Sequence, residues 1–336
     1  MQTLQPLRIG ILGAAHIAHE FVAGVAPSST VKVVAVASRE LAKGQRFAES
    51  FGINRAYGSY LELLADPGVD AIYNPLPNGL HAEWAIRAMD AGKHVLCEKP
   101  LAASAAEARS MFAAARRNGV ILAEGFPYRS QPHMHKLCEL VASGEIGELQ
   151  LIQASFGFTL SDRSNVRFDP ALAGGALLDV GTYPVSLVRF LCGSRAVRVS
   201  AKAHWDSSGV DRTLVATLEH ASGLLAQVSC SFVTGLHRHA LIVGTRGAIQ
   251  TTFPNNPPLD RPVALLIRKS AESNAPYQTI EVPALNGFRA EAEDFAGLIA
   301  SGGKQWGGTT EEESIDIMMT LQAILRSARE ERAVEV

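Results

Sequence analysis

The chain has 336 residues, of which 47% are hydrophobic and 19% charged, and its formal net charge is -2. This length favours two domains, and the composition excludes a largely disordered chain. The near balance of charge argues against a dedicated nucleic-acid-binding protein, and charged residues interrupt each apolar run, which argues against a membrane span. The four cysteines form no Cys-x-x-Cys pair, and no secretory signal pattern is visible, so we expect a cytoplasmic protein with reduced thiols.

Predicted strands and helices alternate over the first third of the chain. The strands are Leu7–Gly13, Val31–Ala37, Val69–Leu76, His94–Cys97 and Val120–Ala123. The helices are Ile17–Val25, Glu40–Phe51, His81–Ala91 and a stretch from Ser104 to Arg117. Strands that alternate with helices pair in parallel through right-handed crossovers. We therefore predict an α/β first domain, residues 1–124, built on a doubly wound parallel sheet.

After about residue 125 the pattern changes to strands with few helices between them. The predicted strands are Leu149–Phe158, Val197–Ala203, Thr213–Glu219, Leu224–Phe232, Leu241–Val243, Ala248–Phe253, Val263–Ile267 and Thr279–Val282. This pattern predicts an α+β second domain, residues 125–336, with a mostly antiparallel sheet. Three predicted helices are available to cover that sheet: Met134–Val141, Leu178–Leu191 and Glu291–Ile299. A terminal helix over residues 311–332 has no clear domain assignment, and residues 255–258 are predicted to form a loop tip.

A glycine-containing turn lies between the first predicted strand and the first predicted helix. Its sequence is Gly13-Ala14-Ala15-His16-Ile17-Ala18. In the dinucleotide fingerprint G-x-G-x-x-G/A, the first glycine forms the tight turn and the second lets the backbone approach a pyrophosphate. Ala15 replaces the second glycine, which weakens the pattern and leaves an ordinary strand–turn–helix as the alternative. The position between strand and helix favours a Rossmann domain whose helix N-terminus binds the pyrophosphate.

The end of the second predicted strand indicates which dinucleotide is bound. NAD enzymes favour an acidic residue there, which accepts from the ribose 2′-hydroxyl, whereas this chain has Ser38 and Arg39. Arg39 can bind a 2′-phosphate through charge-assisted hydrogen bonds, and Ser38 can donate another. The pair favours NADP over NAD. In the alternative interpretation, Arg39 is a solvated loop residue that Glu40 partly neutralises.

The segment Glu98-Lys99-Pro100 carries the first candidate catalytic residue. It follows the predicted strand His94–Cys97, and ligands of open α/β sheets bind beyond the carboxyl ends of the strands. Lys99 at that place can orient a substrate oxygen and favour ionisation of a neighbouring acid. The alternative is an ordinary surface charge. The peptide bond before Pro100 is either cis or trans on sequence grounds.

The segment from Gly174 to Pro184 carries two further candidates. In a helix, Asp179 and Tyr183 stand at i and i+4 on one face. A tyrosine near a lysine can exchange a proton with an alcohol or carbonyl while a cofactor exchanges hydride. Pro184 disfavours the α conformation at Tyr183, so the helix either kinks or begins near Thr182. In the alternative interpretation, Tyr183 is a half-buried aromatic residue and Asp179 a helix cap.

Two His-x-His pairs raise the question of a metal site. They are His133 with His135 and His237 with His239. Alternate residues of a strand point the same way, but the first pair precedes a helical stretch and neither pair has an obvious cysteine or carboxylate partner nearby. We therefore predict that no metal is bound.

Taken together, these segments resemble the glucose–fructose oxidoreductase / inositol dehydrogenase / rhizopine catabolism (Gfo/Idh/MocA) family over nearly the whole chain. The strings that carry the resemblance are Gly13–Ala18, Ala35–Arg39, Pro77-Asn78-x-x-His81, Ala91–Leu101 and Gly144–Gly147. Two more strings are similar to the branch with dimeric dihydrodiol dehydrogenase and NADP-dependent xylose dehydrogenase: Asn165–Pro170 and Gly174–Pro184. The departures are Ala15 and Thr182, where that branch commonly has glycine and cysteine.

The resemblance implies a Rossmann domain followed by an open-faced antiparallel sheet, through which chains often associate. It implies that Lys99 is catalytic, that Tyr183 is the acid/base, and that Asp179 binds a substrate hydroxyl or assists Lys99. Arg129 and Arg167 lie in matching strings and are candidates for substrate binding or for a structural role. The motifs and the resemblance together predict these cofactor contacts: Gly13, Ala14, Ala15, His16, Ile17, Ser38, Arg39, Pro77, Asn78, His81, Glu98 and Lys99.

We expect an NADP(H)-dependent oxidoreductase that acts on a secondary alcohol or carbonyl of a sugar or cyclic diol. Its expected partners are a small-molecule substrate and further copies of the chain, as a dimer or tetramer, with no nucleic acid and no membrane. Two alternatives stay open: a ketoreductase acting on a nucleotide-linked sugar, and a non-catalytic NADP-sensing binding protein. Lys99 and Tyr183 argue against the sensor, because a sensor needs no proton-transfer group.

Overall fold

The computed structural model describes residues 5–272 and 274–336, which form two compact units. The first unit contains the described residues up to Ser130 together with Asn286–Glu311. The second contains the described residues of Gln131–Leu285 and Glu312–Val336. These units differ from the predicted domains, 1–124 and 125–336, mainly because residues 286–311 return to the first unit.

The first unit is built on a six-stranded parallel sheet. Its elements up to Gly125 are β1 Leu7–Leu12, α1 His16–Val25, β2 Val31–Ala37, α2 Leu41–Phe51, β3 Arg55–Tyr57, α3 Tyr60–Leu64, β4 Ala71–Asn74, α4 His81–Asp90, β5 His94–Glu98, α5 Ala105–Asn118 and β6 Leu122–Gly125. The strand order is β3-β2-β1-β4-β5-β6, and every neighbouring pair is parallel. Ile9, Ile11, Ile72 and Leu96 are fully buried, as expected of strands that helices cover on both faces. The predicted doubly wound sheet is confirmed.

The second unit is built on a nine-stranded mixed sheet. The elements from Gln131 onwards, including one helix of the first unit, are α6 Pro132–Ala142, β7 Leu149–Thr159, α7 Thr182–Cys192, β8 Ala196–Trp205, β9 Asp211–His220, β10 Leu225–Ser231, β11 Val233–Gly244, β12 Gly247–Thr251, β13 Val263–Arg268, β14 Gln278–Val282, α8 Gly287–Ala300, α9 Glu311–Glu330 and β15 Val334–Glu335. The sheet order is β14-β13-β12-β11-β7-β10-β9-β8-β15. Among the described strands of this sheet, only β7 and β10 pair in parallel, so the predicted mostly antiparallel sheet is confirmed.

The helix that carries Tyr183 begins in an unusual way. A π turn, Leu177–Gly181, runs directly into α7 at Thr182, so Pro184 lies in the first turn of the α-helix. Pro184 has no amide hydrogen to donate to the Val180 carbonyl, so one hydrogen bond of the helix is missing there. The π turn, which is wider than an α-helical turn, lies next to this missing bond. Of the two expectations for this segment, the start near Thr182 is the one observed. The π turn and α7 pack against β7 and β10 on one face of the nine-stranded sheet.

Helix α8 corrects one expectation about the second domain. The predicted helix Glu291–Ile299 is one of three that could cover the antiparallel sheet, but α8 belongs to the first unit and packs against α1. Its Phe288, Phe295 and Leu298 join the same buried apolar cluster as Phe21 of α1. The apolar spacing of a helix shows that one face is buried, but it does not show which sheet buries it. Helix α9, left without assignment by the sequence, lies in the second unit from Glu312 onwards.

One helical stretch of the described residues is apolar and long enough to cross a membrane by length and composition alone. It is Pro170–Cys192, and 78% of its most apolar 18-residue segment is buried inside the structure. Two charged residues, Asp179 and Arg189, interrupt the stretch, in line with the expectation from the sequence. Burial of this degree is typical of a core helix.

Candidate functional site

The turn after β1 has the geometry that a dinucleotide pyrophosphate requires. Gly13 has φ +87°, a backbone conformation that favours glycine, and a Cβ there would lie 3.1 Å from Leu76 Cδ2. Its amide donates to the Ala37 carbonyl at 2.7 Å, which ties the end of β1 to β2. Ala15 precedes α1 in an extended conformation and does not cap the helix with its side chain. The first amides of α1 are therefore available to an anion.

The residues of this turn are accessible where a ligand would need them. The four residues from Ala14 to Ile17 are partly or fully exposed, whereas Gly13 and Ala18 on either side are buried. The methyl group of Ala15 does not close the turn. The turn as it stands therefore fits a dinucleotide, which supplies hydride chemistry when bound.

The end of β2 presents one cation and one buried hydroxyl. Arg39 is exposed, while Ser38 is 6% exposed and its Oγ accepts from the Glu40 amide at 3.3 Å. Tyr60 lies close to Arg39 and to the turn after β1. Its hydroxyl interacts with Arg39, and its Oη would lie 3.7 Å from a Cβ at Gly13. Burial raises the pKa of Tyr60, and Arg39 acts in the opposite direction. Sequence reasoning missed Tyr60, since a tyrosine in a short helix carries no motif.

His81 lies inside the first unit and holds two loops together. It is 1% exposed, with Nδ1 at 2.8 Å from the Pro100 carbonyl and Nε2 at 2.7 Å from the Leu76 carbonyl. Burial lowers the pKa of His81 to about 4, so the imidazole is neutral at neutral pH. Its ring connects the loop after β4 to the loop that follows Lys99. Pro77 and Asn78, the neighbouring predicted contacts, are partly exposed.

Lys99 lies at the carboxyl end of β5, on the sheet edge where the Gly13 turn also lies. It is partly exposed, and the Lys99–Pro100 bond is cis. Glu98 is 5% exposed and accepts from Tyr73 Oη at 2.7 Å. Arg129, predicted as a substrate contact, is 3% exposed in the same unit.

A buried carboxyl group from α8 stands near this segment. Glu291 is 2% exposed, and its Oε2 has no hydrogen-bond partner among the described residues. Burial raises the pKa of Glu291 well above its usual value, and the charges of Glu98, Asp294 and Glu124 act in the same direction. Glu291 is therefore a neutral acid over a range in which an exposed glutamate is ionised.

In the second unit, the structure brings Arg167, Asp179 and Tyr183 together. Arg167 Nε donates to Asp179 Oδ2 at 2.6 Å, and the charge of Asp179 raises the pKa of Arg167, to which Tyr183 adds. Asp179 is 6% exposed and Tyr183 4% exposed. The start of this segment is fixed by Asp211, whose Oδ2 accepts from the Leu177 amide at 2.7 Å. Burial raises the pKa of Asp211 to about 6.

Two residues that sequence reasoning did not place in a site also contact Tyr183. Asn255 Nδ2 donates to Tyr183 Oη at 2.8 Å, and the Arg238 guanidinium carbon lies 4.1 Å from the centre of the Tyr183 ring. Asn255 belongs to the predicted loop tip, and Arg238 is the middle residue of the second His-x-His string. Neither position carried a signal for this role, because only the folded sheet brings them to α7.

The two histidine pairs lie in different surroundings. His133 is buried within α6, and His237 Nε2 lies 2.9 Å from Ser155 Oγ. Across residues 5–272 and 274–336, no three His, Cys, Asp or Glu side chains are grouped so that they could hold a metal ion.

The parallel sheet, the turn after β1 and the cation beyond β2 are typical of a dinucleotide-binding protein of the Rossmann type. Residues 7–126 match the family described as "Oxidoreductase family, NAD-binding Rossmann fold", and residues 134–250 match the "GFO/IDH/MocA C-terminal domain". The chain belongs to the Gfo/Idh/MocA family of NAD(P)-binding oxidoreductases, as its motifs predicted.

Several similar proteins are named as dehydrogenases or reductases. D-xylose 1-dehydrogenase (NADP(+)) 2 of Haloferax volcanii is 37% identical, over 98% of this chain and 100% of that protein. Trans-1,2-dihydrobenzene-1,2-diol dehydrogenase of Mus musculus is 40% identical, over 73% of this chain and 74% of that protein. KijD10, a 3-ketoreductase from Actinomadura kijaniata solved with NADP and TDP-benzene, superposes with a TM-score of 0.88 at 30% identity, covering 96% of this chain and 98% of that chain.

Proposed function

We propose that the chain is an NADP(H)-dependent oxidoreductase that transfers hydride to or from a secondary alcohol or carbonyl of a sugar or cyclic diol. The observation that carries this proposal is the placement of Lys99 at the carboxyl end of β5. It lies on the sheet edge that also bears the Gly13 turn, which is where an open α/β sheet binds its ligands. The names of the similar dehydrogenases support the substrate class.

Lys99 and Tyr183 share the handling of the substrate proton. In the oxidation direction, the phenolate form of Tyr183 takes the hydroxyl proton while hydride would pass from the carbon to the oxidised nicotinamide, and Lys99 stabilises the charge on the substrate oxygen. Asp179 accepts from a substrate hydroxyl or assists Lys99, and Arg167 holds that carboxylate in place through a hydrogen bond from Nε. Among the solved structures of the similar ketoreductase are one with a tyrosine changed to phenylalanine and two with a lysine changed, which are the same two residue types.

The proposed cofactor is NADP rather than NAD. Arg39 is exposed beyond β2, and no acidic residue occupies the place where NAD enzymes hold the ribose 2′-hydroxyl. A xylose dehydrogenase named for NADP(+) and a ketoreductase solved with NADP support the same choice. The remaining predicted cofactor contacts, from Gly13 to Lys99, belong to this proposal.

The test is turnover by two variants, Lys99→Met and Tyr183→Phe. Each should still bind NADPH, although Lys99 is also a proposed cofactor contact, and each should lose about 100- to 10,000-fold in kcat, which is the usual contribution of a positioned acid or base. NADPH fluorescence measures binding, and absorbance at the nicotinamide band measures turnover of xylose and of a cyclic diol.

Matched controls remove the same groups elsewhere. Lys43→Met removes an exposed cation of α2, and Tyr277→Phe removes a hydroxyl that accepts from Gln250 at 3.2 Å in the second unit. Both controls should turn over like the unmodified protein. If Lys99→Met and Tyr183→Phe also do so, the proposed mechanism is wrong.

A second candidate is a ketoreductase acting on a nucleotide-linked sugar. The similar 3-ketoreductase was solved with TDP-benzene, a nucleotide-bearing compound. A screen of free sugars, cyclic diols and nucleotide sugars decides between the candidates, because turnover restricted to nucleotide sugars would select this one. The non-catalytic sensor is not retained, since the similar proteins are named dehydrogenases and reductases.

Self-association through the open sheet and a cytoplasmic location complete the proposal. Five exposed apolar side chains lie on the described strands of the nine-stranded sheet: Val197, Val215, Leu225, Val233 and Leu236. Such side chains are typical of a sheet surface that another chain covers. Sedimentation of the intact protein gives the number of copies.

A further inference from the structure

Three aromatic side chains and one amide surround a single guanidinium beside the proposed acid/base. The guanidinium carbon of Arg238 lies 4.1 Å from the ring centre of Tyr183, 4.6 Å from that of Phe156 and 4.9 Å from that of Phe253. Arg238 also donates from Nη2 to Asn255 Oδ1 at 3.0 Å. These residues come from β7, α7, β11 and the chain after β12, so the fold assembles the group from distant segments.

Arg238 determines how the Asn255 amide is oriented. A guanidinium has only hydrogen-bond donors, so the amide atom that it contacts must be the oxygen. The other amide atom, Nδ2, therefore faces Tyr183 Oη, 2.8 Å away, and donates to it. The opposite amide orientation would set donor against donor at Arg238. The chemistry of arginine thus fixes an assignment that the shape of an amide leaves open.

The loop that carries Asn255 is itself anchored. Gln131, which is fully buried, donates from Nε2 to the Asn255 carbonyl at 2.9 Å and to the Leu285 carbonyl at 2.6 Å. Asn255 is therefore held at both its backbone and its side chain. A loop residue fixed in this way can impose a direction on the group it contacts.

We propose that Arg238 and Asn255 are positioning residues for Tyr183, which keep its oxygen as a hydrogen-bond acceptor and stabilise its phenolate form. Since Nδ2 donates to Oη, the phenol proton has to point away from Asn255. A donor at the oxygen and a cation over the ring both favour negative charge on the phenol. This inference rests on the proposed function of Tyr183 as acid/base, and it adds the groups that set the direction and ease of its proton transfer.

Other charged groups act on the same phenol. Arg167 and Asp179 lie on the π-turn side and form an ion pair, so their charges largely offset each other at Tyr183. His133 stands near Arg238, and burial lowers the pKa of His133 to about 4, so it adds no charge at neutral pH. Arg238 differs from these groups in that it lies over the Tyr183 ring itself, with its guanidinium carbon 4.1 Å from the ring centre.

The deciding variant is Asn255→Asp, which keeps the size of the side chain and reverses its role. The carboxylate can still accept from Arg238, but it cannot donate to Tyr183 and would accept the phenol proton instead. Protein labelled with 13C at the ζ carbon of tyrosine gives up to six ring signals, one for each tyrosine. Tyr183→Phe identifies the Tyr183 signal by its loss. We expect the ionisation midpoint of Tyr183 in Asn255→Asp to rise by about one pH unit or more.

Asn256→Asp is the matched control, because Asn256 is the exposed next residue of the same loop and receives the same charge. The ionisation midpoint of Tyr183 in this control should stay within a few tenths of a pH unit of the value in the unmodified protein. Arg238→Lys keeps the charge and should shift the midpoint less than Arg238→Met. An Asn255→Asp midpoint equal to that of Asn256→Asp would overturn the proposal.

Kinetics separate this inference from the proposed function. Asn255→Asp should lower kcat and move the kcat profile to higher pH, with NADPH affinity unchanged. If Tyr183→Phe turns over normally, the proposed function fails, while the NMR titration still decides whether Arg238 and Asn255 tune the phenol. If the titration shows no effect and Tyr183→Phe is inactive, only the present inference fails. Far-ultraviolet circular dichroism of each variant confirms that it is folded.

Discussion

At the scale of single residues, Arg39 shows how one exposed side chain can set the choice of cofactor. It follows β2 directly, and its contact with the Tyr60 hydroxyl holds it beside the Gly13 turn. A ribose 2′-phosphate placed there would gain charge-assisted hydrogen bonds, whereas a 2′-hydroxyl would gain little.

Arg39→Ala should therefore weaken NADPH binding about 10- to 100-fold and change NADH binding much less. The expected loss corresponds to one or two hydrogen bonds to a charged group. Titration of nicotinamide fluorescence measures both dissociation constants. Lys43→Ala, which removes an exposed cation of the neighbouring helix, is the control for net charge. An equal loss of NADPH and NADH affinity in Arg39→Ala would contradict the assignment.

Single residues also show where sequence reasoning stops. Lys99 and Tyr183 could be proposed as catalytic because each lies in a string that the family shares. Asn255 and Arg238 could not, because their relation to Tyr183 depends on the pairing of β11 with β7 and on the loop anchored by Gln131. Ser38 could be placed at the end of β2, but its burial depends on packing that no motif describes.

At the scale of elements, the segment from Gly174 to Cys192 combines a tight turn, a π turn and an α-helix. Gly175 has φ +114°, and a Cβ there would collide with Asp211 Oδ1. Asp211 caps the segment by accepting from the Leu177 amide. The π turn then carries Asp179, and the first turn of α7 carries Tyr183.

The titration of Asp211 gives this segment a predicted pH dependence. Burial raises the pKa of Asp211 to about 6, above its unfolded value of 3.8, so the folded state binds the proton more tightly. The stability that this group contributes is therefore present below pH 3.8 and is lost as pH rises to about 6. Asp211→Asn keeps an acceptor for Leu177 and cannot ionise. It should be more stable than the unmodified protein at pH 7, by on the order of 1–3 kcal/mol, with the difference closing toward pH 4.

Urea unfolding at several pH values measures this difference. Asp211→Ala is the companion variant, since it removes both the ionisable group and the cap, and it should be about 1 kcal/mol less stable than Asp211→Asn at every pH. Parallel stability curves for the unmodified protein and Asp211→Asn between pH 4 and 7 would show that Asp211 does not titrate as described.

Long elements could be read from the sequence, and short or displaced ones could not. From apolar runs and helix caps, the sequence predicted β1, β2, α2 and α5 with bounds close to the observed ones. The three-residue strand β3 and the five-residue helix α3 were missed, because periodicity needs a longer run. Strand β11 was predicted only over Leu241–Val243, since its first half contains Gly235, His237 and Arg238, which interrupt the apolar pattern.

At the scale of the whole molecule, the first unit is not a continuous piece of chain. Its core includes Phe288, Phe295 and Leu298 of α8, which follow the strands of the second unit in sequence. Burial of each such side chain stabilises the fold by about 1.5–3 kcal/mol. Three of them together contribute an amount comparable with the usual stability of a domain, about 5–15 kcal/mol.

A fragment of residues 1–130 should therefore fail to fold cooperatively. We expect it to bind the dye ANS and to lose signal gradually on heating, because the surface that α8 covers is exposed. The same fragment joined by a flexible linker to residues 286–311 should unfold in one transition and bind little dye. If residues 1–130 alone unfold as sharply as the joined fragment, α8 is not needed for this core.

The return of α8 also sets the order in which a ribosome can complete the two units. All the proposed cofactor contacts are translated by Lys99, yet Phe288 and Phe295 emerge only after β7 to β14 have been made. The nascent dinucleotide unit thus spends most of translation with an open apolar face, of the kind that chaperones bind. A message truncated before residue 286 would yield a chain that contains every proposed cofactor contact and still lacks a finished core to hold them.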